Sequence, residues 1–177
     1  YSRAMTAVQP SRLPADAFLD AYVQSGAYTD CYCLELARLV THAELIAAFY
    51  TTVVFKIERW LLGVFLSKPT TDSDAQALAL GQADTFAAWT VERRAPNQIL
   101  LAAGRTRSWL MVLPGGSNGK ANGTRLFFGS AVVPRRGHAA ASSGGSARMG
   151  WQFRALLGFH KLYSRVLLAA AGRKLGG

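Results

Sequence analysis

Cysteine and histidine are scarce in this sequence, which has two cysteines and three histidines among 177 residues. Cys31 and Cys33 lie two residues apart in an apparent strand, so both side chains point to the same face of the sheet. Their Cα atoms should be about 6.5–7 Å apart. That separation is at the limit of disulfide geometry, and we predict two reduced thiols in a cytoplasmic protein. His42, His138 and His160 lie far apart in the sequence, so we predict no metal site.

Long uncharged apolar runs are also missing. The longest apolar stretch, from Leu45 to Leu66, is interrupted by Lys56, Glu58 and Arg59. A membrane-spanning helix needs about 18 or more apolar residues in succession, so the sequence predicts no transmembrane segment. The first residues lack a charged segment followed by an apolar one, so the pattern predicts no signal peptide.

Acidic residues are few, with 10 Asp and Glu against 20 Lys and Arg, which gives a net charge of +10. Such a balance can favour nucleic acid, anionic membranes or acidic ligands. The basic residues are scattered, however, and adjacent pairs occur only at 93–94, 135–136 and 173–174. The exposed strands do not interleave aromatic and basic residues as single-strand binders do. We therefore favour a solvated basic surface and keep nucleic acid or anionic membrane as alternative partners.

Motifs that would name a reaction are absent as well. The glycine-rich segments at 115–120 and 134–150 lack the G-x-x-x-x-G-K-[ST] arrangement of a phosphate-binding loop. Ser108 and Ser164 do not lie in a G-x-S-x-G turn. A general acid or base role for Glu92 or His160 is chemically feasible, but nothing in the sequence positions a nucleophile beside either residue. The sequence therefore predicts no catalytic residue and no cofactor.

What the sequence does have is a hydrophobic content of 50%, enough for the core of a single domain. Periodicity predicts an α+β fold in which an antiparallel sheet of about five strands grips a long C-terminal helix, with one long and one or two short helices packed on it. We predict an N-terminal arm with a short helix over residues 1–28 and one domain over residues 29–174. The predicted helices are Pro14–Val23, Thr41 to about Leu66, Asp74–Leu80 and Trp151–Lys174, and the predicted strands are Thr29–Leu36, Phe86–Arg94, Gln98–Ala103, Thr106–Leu113 and Thr124–Val133.

The two longest predicted helices have distinct apolar faces. Thr41 and Glu44 have the spacing of a capping box, so Thr41 should begin the first of them. That helix is apolar on two sides, and we expect residues 14–23 to cover the second side. The closing helix has one apolar stripe, which we expect to face the sheet: Leu156, Phe159, Tyr163, Val166, Leu167 and Ala170.

Three segments carry a family resemblance: AFYTTVVFKIERWLL, DTFAAWTVERRAPNQILLAAGRTRSWLMV and FRALLGFHKLYSRVLLAAA. Together with the element order, they resemble a bacterial family of unknown function related to the START-like (SRPBCC, helix-grip) superfamily, over residues 29–174. The resemblance implies a sheet gripping the C-terminal helix, with a cavity between them. Helix-grip relatives bind lipids, sterols and hormones, and some act on polyketides. Our count of about five strands is below the seven of the larger members.

Helical phase and strand position suggest which residues would line such a cavity. Ligand pockets are mostly apolar with a few convergent polar groups. The polar candidates are Tyr50, Arg107, His160 and Tyr163, and Glu92 is a possible ion-pair partner of Arg107. The alternative is that the aromatic residues fill the core and that His160 is a hydrogen-bonded core histidine. The predicted ligand-binding residues are Tyr50, Trp60, Trp89, Arg107, Trp109, Phe159, His160 and Tyr163.

These observations predict a domain that binds a small apolar or amphipathic ligand in a hydrophobic pocket, without catalysis. One alternative is an enzyme of the cyclase or hydrolase type that uses the same pocket. The other is a basic protein that binds nucleic acid or anionic membrane.

Overall fold

The computed structural model describes residues 7–52, 71–115, 123–133 and 164–176. These residues form an α+β fold with one seven-stranded antiparallel sheet and four helices, the last of them C-terminal. The strands are β1 (Gln9–Pro10), β2 (Tyr28–Leu36), β3 (Thr85–Phe86), β4 (Trp89–Ala95), β5 (Gln98–Ala103), β6 (Thr106–Gly115) and β7 (Gly123–Val132), and the helices are α1 (Asp20–Gln24), α2 (His42–Tyr50), α3 (Asp72–Ala79) and α4 (164–176).

The sheet has the strand order β1-β2-β7-β6-β5-β4-β3. From β3 to β7 each strand pairs with the next strand along the chain, which is the pattern of a meander. Strand β2 instead pairs with β7, so that Tyr28 lies opposite Val132 and Leu36 lies opposite Thr124. This pairing attaches the early part of the chain to the last strand of the meander.

The prediction of about five strands was too low. The two additional strands, β1 and β3, have 2 residues each and are too short to show a period in the sequence. Strand β3 comes from the predicted strand Phe86–Arg94, which is divided because Ala87 has a positive φ of 54°. Strand β1 lies in the predicted N-terminal arm, before its short helix, and it adds an edge strand beside β2.

One face of the sheet is packed against α2, α3 and α4, and we call it the helix-covered face. Alternate residues of the strands point to this side and join the helices in a single apolar core. Lys174 of α4 donates to Thr51 Oγ1, at the C-terminal end of α2. The buried apolar strand residues of this face are Tyr32, Leu34, Leu36, Phe86, Ile99, Leu101, Leu110, Leu126 and Phe128.

Residues 11–26, which we call the N-terminal segment, pack on the opposite face of the sheet. Ala17 and Leu19 are buried there against Trp109 and Phe127. This placement differs from the expectation that residues 14–23 would cover the second side of the long helix. The helix in the segment begins at Asp20 rather than at Pro14, because Asp16 has a positive φ of 61° that a helix does not accommodate.

The long and closing helices also differ from prediction. The capping box of Thr41 and Glu44 is confirmed, but α2 ends at Tyr50 instead of continuing to about Leu66, and residues 53–70 lie outside the described residues. In α4 the buried face is shifted by one residue from the predicted stripe, so Val166 is exposed. The buried positions of α4 are Ser164, Leu167, Leu168, Ala171, Gly172 and Leu175.

Within the described ranges, no helix has both the length and the apolarity that a membrane crossing requires. The proposed boundary between residues 28 and 29 stays a prediction.

Candidate functional site

The residues predicted to line a cavity do not all lie together. Trp60, Phe159, His160 and Tyr163 fall outside the described residues. Among the others, Tyr50 is fully buried on the helix-covered face, and half-buried Trp89 packs against the same core. Trp109 belongs to the core of the opposite face, and Arg107 points the same way, because side chains alternate along β6. A single pocket therefore does not contain both Tyr50 and Trp109.

Trp109 helps to hold the N-terminal segment. Its indole N–H donates to Gln98 Oε1 at 2.9 Å, and the same oxygen accepts the backbone N–H of Phe18 at 2.9 Å. The Gln98 side-chain amide donates to the carbonyl of Asp16 at 2.9 Å. Since Gln98 is only 4% exposed, these bonds satisfy a buried amide that would otherwise be costly. The residue joins the segment to two strands, which is a structural role.

Arg107 belongs to a second contact with the N-terminal segment. Its Nε lies 2.6 Å from Glu92 Oε2, so the predicted pair is confirmed, and it donates to the Tyr22 hydroxyl at 2.7 Å. That hydroxyl in turn donates to Glu92. Burial and the hydrogen bond to Glu92 raise the pKa of Tyr22, against a lowering by Arg107. Tyr22, Glu92 and Arg107 therefore bond to one another, and together they fix the N-terminal segment to the sheet.

The helix-covered face has an unexpected polar feature near the start of β2. Asp30, Ser130 and Ser108 lie opposite one another on three adjacent strands, because Asp30 is paired with Ser130 and Ser130 with Ser108. Asp30 Oδ1 accepts the Ser130 hydroxyl at 2.6 Å and the Ser130 backbone N–H at 3.1 Å. Ser130 and Ser108 are 1% and 5% exposed, so these groups are buried in a core that is otherwise apolar. We call these three residues the polar row.

Two tyrosine hydroxyls extend the polar row. The hydroxyl of Tyr50, at the end of α2, lies 3.4 Å from Ser108 Oγ. Tyr28 precedes Asp30 by two residues and so points to the same face. Its hydroxyl oxygen is buried and has no hydrogen-bond partner among the described residues. Burial, together with electrostatic effects of Asp30 and Tyr32, raises the pKa of Tyr28 to about 12, so the phenol stays neutral.

The polar row was missed at the sequence level, although a signal for it was present. Side chains alternate between the two faces along β2, so Tyr28 and Asp30 lie on the same face as Leu34 and Leu36. The leucines mark this face as the buried one. A carboxylate in a buried phase is unusual and indicates a partner or a site. The register that brings Asp30 beside Ser130 depends on the β2–β7 pairing, and the sequence pattern does not specify that pairing.

His42 is another buried polar group of the helix-covered face, at the first turn of α2. The residue is 8% exposed, and its Nε2 has no hydrogen-bond partner among the described residues. Burial lowers the pKa of His42 to about 4, and the charge of Arg94 acts in the same direction, against a rise caused by the backbone of Leu110. Leu110 lies opposite Phe128, one pair of same-face residues away from Ser108 and Ser130. The imidazole is therefore neutral and separate from the polar row.

The two cysteines are free thiols on the face of the N-terminal segment. Burial is the main cause that raises the pKa of Cys31 to about 12 and that of Cys33 to about 11. A thiol with a raised pKa forms little thiolate at neutral pH and is a poor nucleophile and metal ligand. Across the described part of the chain, no three His, Cys, Asp or Glu residues are grouped as a metal would require.

The architecture defines an α+β protein in which one antiparallel sheet separates a helical layer, with a buried polar row, from an N-terminal segment. Comparison of the chain with protein-family models, with known proteins and with solved structures yields no match.

Proposed function

We propose that this chain is a helix-grip-like domain that binds a small apolar or amphipathic ligand between the helix-covered face and the C-terminal helix. The order of elements supports the proposal: β2 is followed by helices, then by the meander β3–β7, and then by α4. The resemblance to the START-like superfamily rests on the same order. The side chains of α4 that face the sheet share one core with β2 and β7.

The observation that carries the proposal is the buried Tyr28 hydroxyl beside the polar row. Leaving a buried polar group without a hydrogen bond costs about 1–3 kcal/mol, so folded proteins rarely do so without a reason. A few polar groups that converge in an apolar interior are typical of ligand pockets, where they orient the bound molecule. A ligand that reaches the row would give the Tyr28 hydroxyl the hydrogen-bond partner that the described residues do not supply, and would remove this cost.

The direct test is binding of Nile red, a neutral apolar dye, measured by fluorescence on the full chain. We expect saturable binding with one dye per protein. Ser130→Leu enlarges a side chain of the polar row and should lower the affinity about tenfold or more. Cys33→Leu is the matched control, because it enlarges a side chain of β2 on the opposite face and should leave the affinity unchanged.

The stability of each variant is first measured by denaturant unfolding, so that a variant that does not fold is not mistaken for one that does not bind. If Ser130→Leu does not fold, the smaller change Ser130→Val takes its place. Absence of saturable dye binding by the unmodified chain contradicts the proposal, and so does an equal loss in the Cys33→Leu control. Native mass spectrometry of the purified chain then shows whether a ligand is retained.

A further inference from the structure

We propose that His42 makes the helical layer an acid-sensitive switch: when the imidazole takes up a proton, α3 and the first turn of α2 move away from the sheet, and the sheet stays folded. The inference is independent of the proposed function. It is carried by the place of His42 in the core and by the groups that surround the ring.

His42 continues the apolar side of α2. Leu45, Ile46 and Phe49 follow it at positions i+3, i+4 and i+7, so all four residues lie on one side of the helix. The three apolar residues belong to the core between the helices and the sheet, and His42 itself is only 8% exposed. An ionisable side chain therefore occupies a position that is otherwise typical of an apolar residue.

The hydrogen bonds of the ring fit a neutral imidazole. One ring nitrogen bonds to the backbone of Leu110 in β6, whereas Nε2 is buried without a hydrogen-bond partner among the described residues. A neutral imidazole has one N–H, which that bond satisfies, but an imidazolium has two. Protonation would therefore add a buried, charged N–H for which the described residues offer no acceptor, and such a group is costly.

The local charges also oppose protonation. His42 lies at the N-terminus of α2, the positive end of the helix dipole, and the nearby charge of Arg94 further disfavours a cation. The carboxylate of Glu44 is exposed and accepts the backbone N–H and the hydroxyl of Thr41. Asp84 lies 3.7 Å from Arg94, but its side chain is 80% exposed, so water screens it. The other charged residues described on the elements around α2 are Arg38, Asp72, Asp74, Arg165, Arg173 and Lys174.

Arg94 links the charge of the imidazole to α3. Its guanidinium donates to the carbonyl of Leu78, in the last turn of α3, at 2.9 Å, and to that of Ala83, just beyond the helix, at 3.1 Å. The end of α3 is thereby fixed to β4. A charge on His42 repels this guanidinium in a medium of low dielectric constant. If α3 and the start of α2 move outward, both cations reach water and the repulsion is relieved.

Helix α3 is the element that should separate most easily. It has 8 residues and buries three side chains, two of which are alanine. The sheet is instead held by ladders between all neighbouring strands and by a second core on its opposite face, to which His42 does not belong. Local openings have the lowest free energy where few apolar contacts are lost, so the helical layer opens before the sheet.

The size of the effect follows from proton binding. The pKa of His42 is about 4 in the closed layer, whereas in the open layer the ring is in water and has its ordinary pKa of 6.5. The closed layer is therefore fully stable above pH 6.5 and loses stability as the pH falls towards 4. Between pH 7.5 and 5 the ratio of open to closed molecules should rise about thirtyfold.

Hydrogen exchange of the full chain, followed by mass spectrometry, tests the switch. The protection of each segment is corrected for the intrinsic effect of pH on amide exchange. We expect residues 72–80 to lose about thirtyfold in protection between pH 7.5 and 5, and residues 98–103 of β5 to stay better protected throughout. Exchange of residues 72–80 should not respond to urea up to about 1 M, because a local opening exposes little surface.

His42→Gln tests the residue that is responsible. This variant has no titrating ring at the position, so the protection of residues 72–80 should stay constant within about twofold over the same pH range. His138→Gln is the matched control, because it removes a different histidine, outside the described residues, and should keep the thirtyfold change. If His42→Gln does not fold, His42→Phe takes its place, since it keeps an uncharged ring.

Several results would overturn the switch. Equal protection of residues 72–80 and 98–103 at every urea concentration would show that the chain opens only by global unfolding. Protection of residues 72–80 that does not change with pH in the unmodified chain would show that protonation leaves the layer closed. A thirtyfold change that persists in the His42 variant, or that is lost in His138→Gln, would assign the response to another group.

Discussion

Among single residues, His42 and Tyr28 show what burial does to a polar side chain that lacks a hydrogen-bond partner within the described residues. Burial favours the neutral form in both cases, so the pKa of His42 falls to about 4 and that of Tyr28 rises to about 12. Both groups are neutral in the folded chain at neutral pH, but the unfolded chain can protonate the imidazole close to neutrality, because its ordinary pKa is 6.5.

His42 should make the protein sensitive to acid. The unfolded chain takes up a proton near pH 6.5 and the folded chain only near pH 4, so stability is full above 6.5 and is lost as the pH falls towards 4. A shift of this size corresponds to about 3 kcal/mol. Urea unfolding of the unmodified chain and of His42→Gln between pH 7.5 and 4 should show a shallower acid loss in the variant. Equal pH profiles would show that the imidazole charges freely in the fold.

Gly129 of β7 is predicted to tolerate no side chain. A Cβ at this position would lie 2.7 Å from the carbonyl of Asp30 and 2.8 Å from Leu19 Cδ2, and the first of these is backbone that cannot yield. Gly129→Ala should therefore lower the free energy of unfolding by about 1–3 kcal/mol, as overpacking does. Gly176→Ala is the control, since its Cβ would meet Leu36 at an ordinary 3.8 Å. Similar unfolding curves for both variants would contradict the close approach at Gly129.

At the scale of elements, sequence periodicity predicted the strands with a long period-two pattern, and Gln98–Ala103 agrees in both bounds. It did not predict where the N-terminal segment packs. The reason is visible in β4, where an irregularity between Val91 and Arg93 changes the register. Because of this bulge, Glu92 and Arg93 both contact the segment: Glu92 bonds to Tyr22, and the Arg93 guanidinium lies 4.1 Å above the Phe18 ring. Strand alternation alone would place them on opposite faces.

The candidate site was predicted only in part for a similar reason. Tyr50 could be assigned to the helix-covered face from the phase of α2, and it does lie there. Trp109 could not be separated from Tyr50, because a strand buried on both faces gives no polar phase that marks the outside. The polar row depends on pairings between strands that are distant in sequence, which periodicity does not encode.

The attachment of the N-terminal segment should depend on Gln98. Gln98→Leu removes the acceptor of the Trp109 and Phe18 N–H groups and leaves both unsatisfied, which we expect to cost about 2–4 kcal/mol. Limited proteolysis should then cut residues 11–26 faster than in the unmodified chain. Gln82→Leu, at an exposed position, is the control. Unchanged cleavage in Gln98→Leu would show that the apolar contacts of Leu19 and Phe18 hold the segment without the amide.

For the molecule as a whole, the unequal distribution of charge bears on its partners. Acidic and basic residues are nearly balanced over the described ranges, and almost all of the excess positive charge belongs to the other ranges of the sequence. The described sheet and helices therefore do not supply the basic surface that binding to nucleic acid would require. Their distinctive features are the apolar core and the polar row.

The sheet should also fold in a definite order. The meander β3–β7 pairs strands that are neighbours in sequence, whereas β2 must close a long loop to reach β7. We therefore expect Leu101→Ala, in β5, to slow folding, and Leu34→Ala, in β2, mainly to accelerate unfolding. The two leucines are buried on the same face, 0% and 1% exposed, so each change should cost about 2–5 kcal/mol. Folding and unfolding rates are measured by stopped flow. If only Leu34→Ala slows folding, the β2–β7 pairing forms before the meander, and the proposed order is wrong.

The pairing of β2 with β7 has a consequence for the chain during its synthesis. Strand β7 is made on the order of 10 s after β2 at typical rates of translation, and until then β2 has no partner on that side. Cys31 and Cys33 lie on β2, and the burial that suppresses their thiolates in the finished protein does not yet exist. The nascent chain therefore passes through an interval in which its two thiols have the ordinary reactivity of free cysteine. An oxidant would modify these residues during synthesis far more readily than after folding.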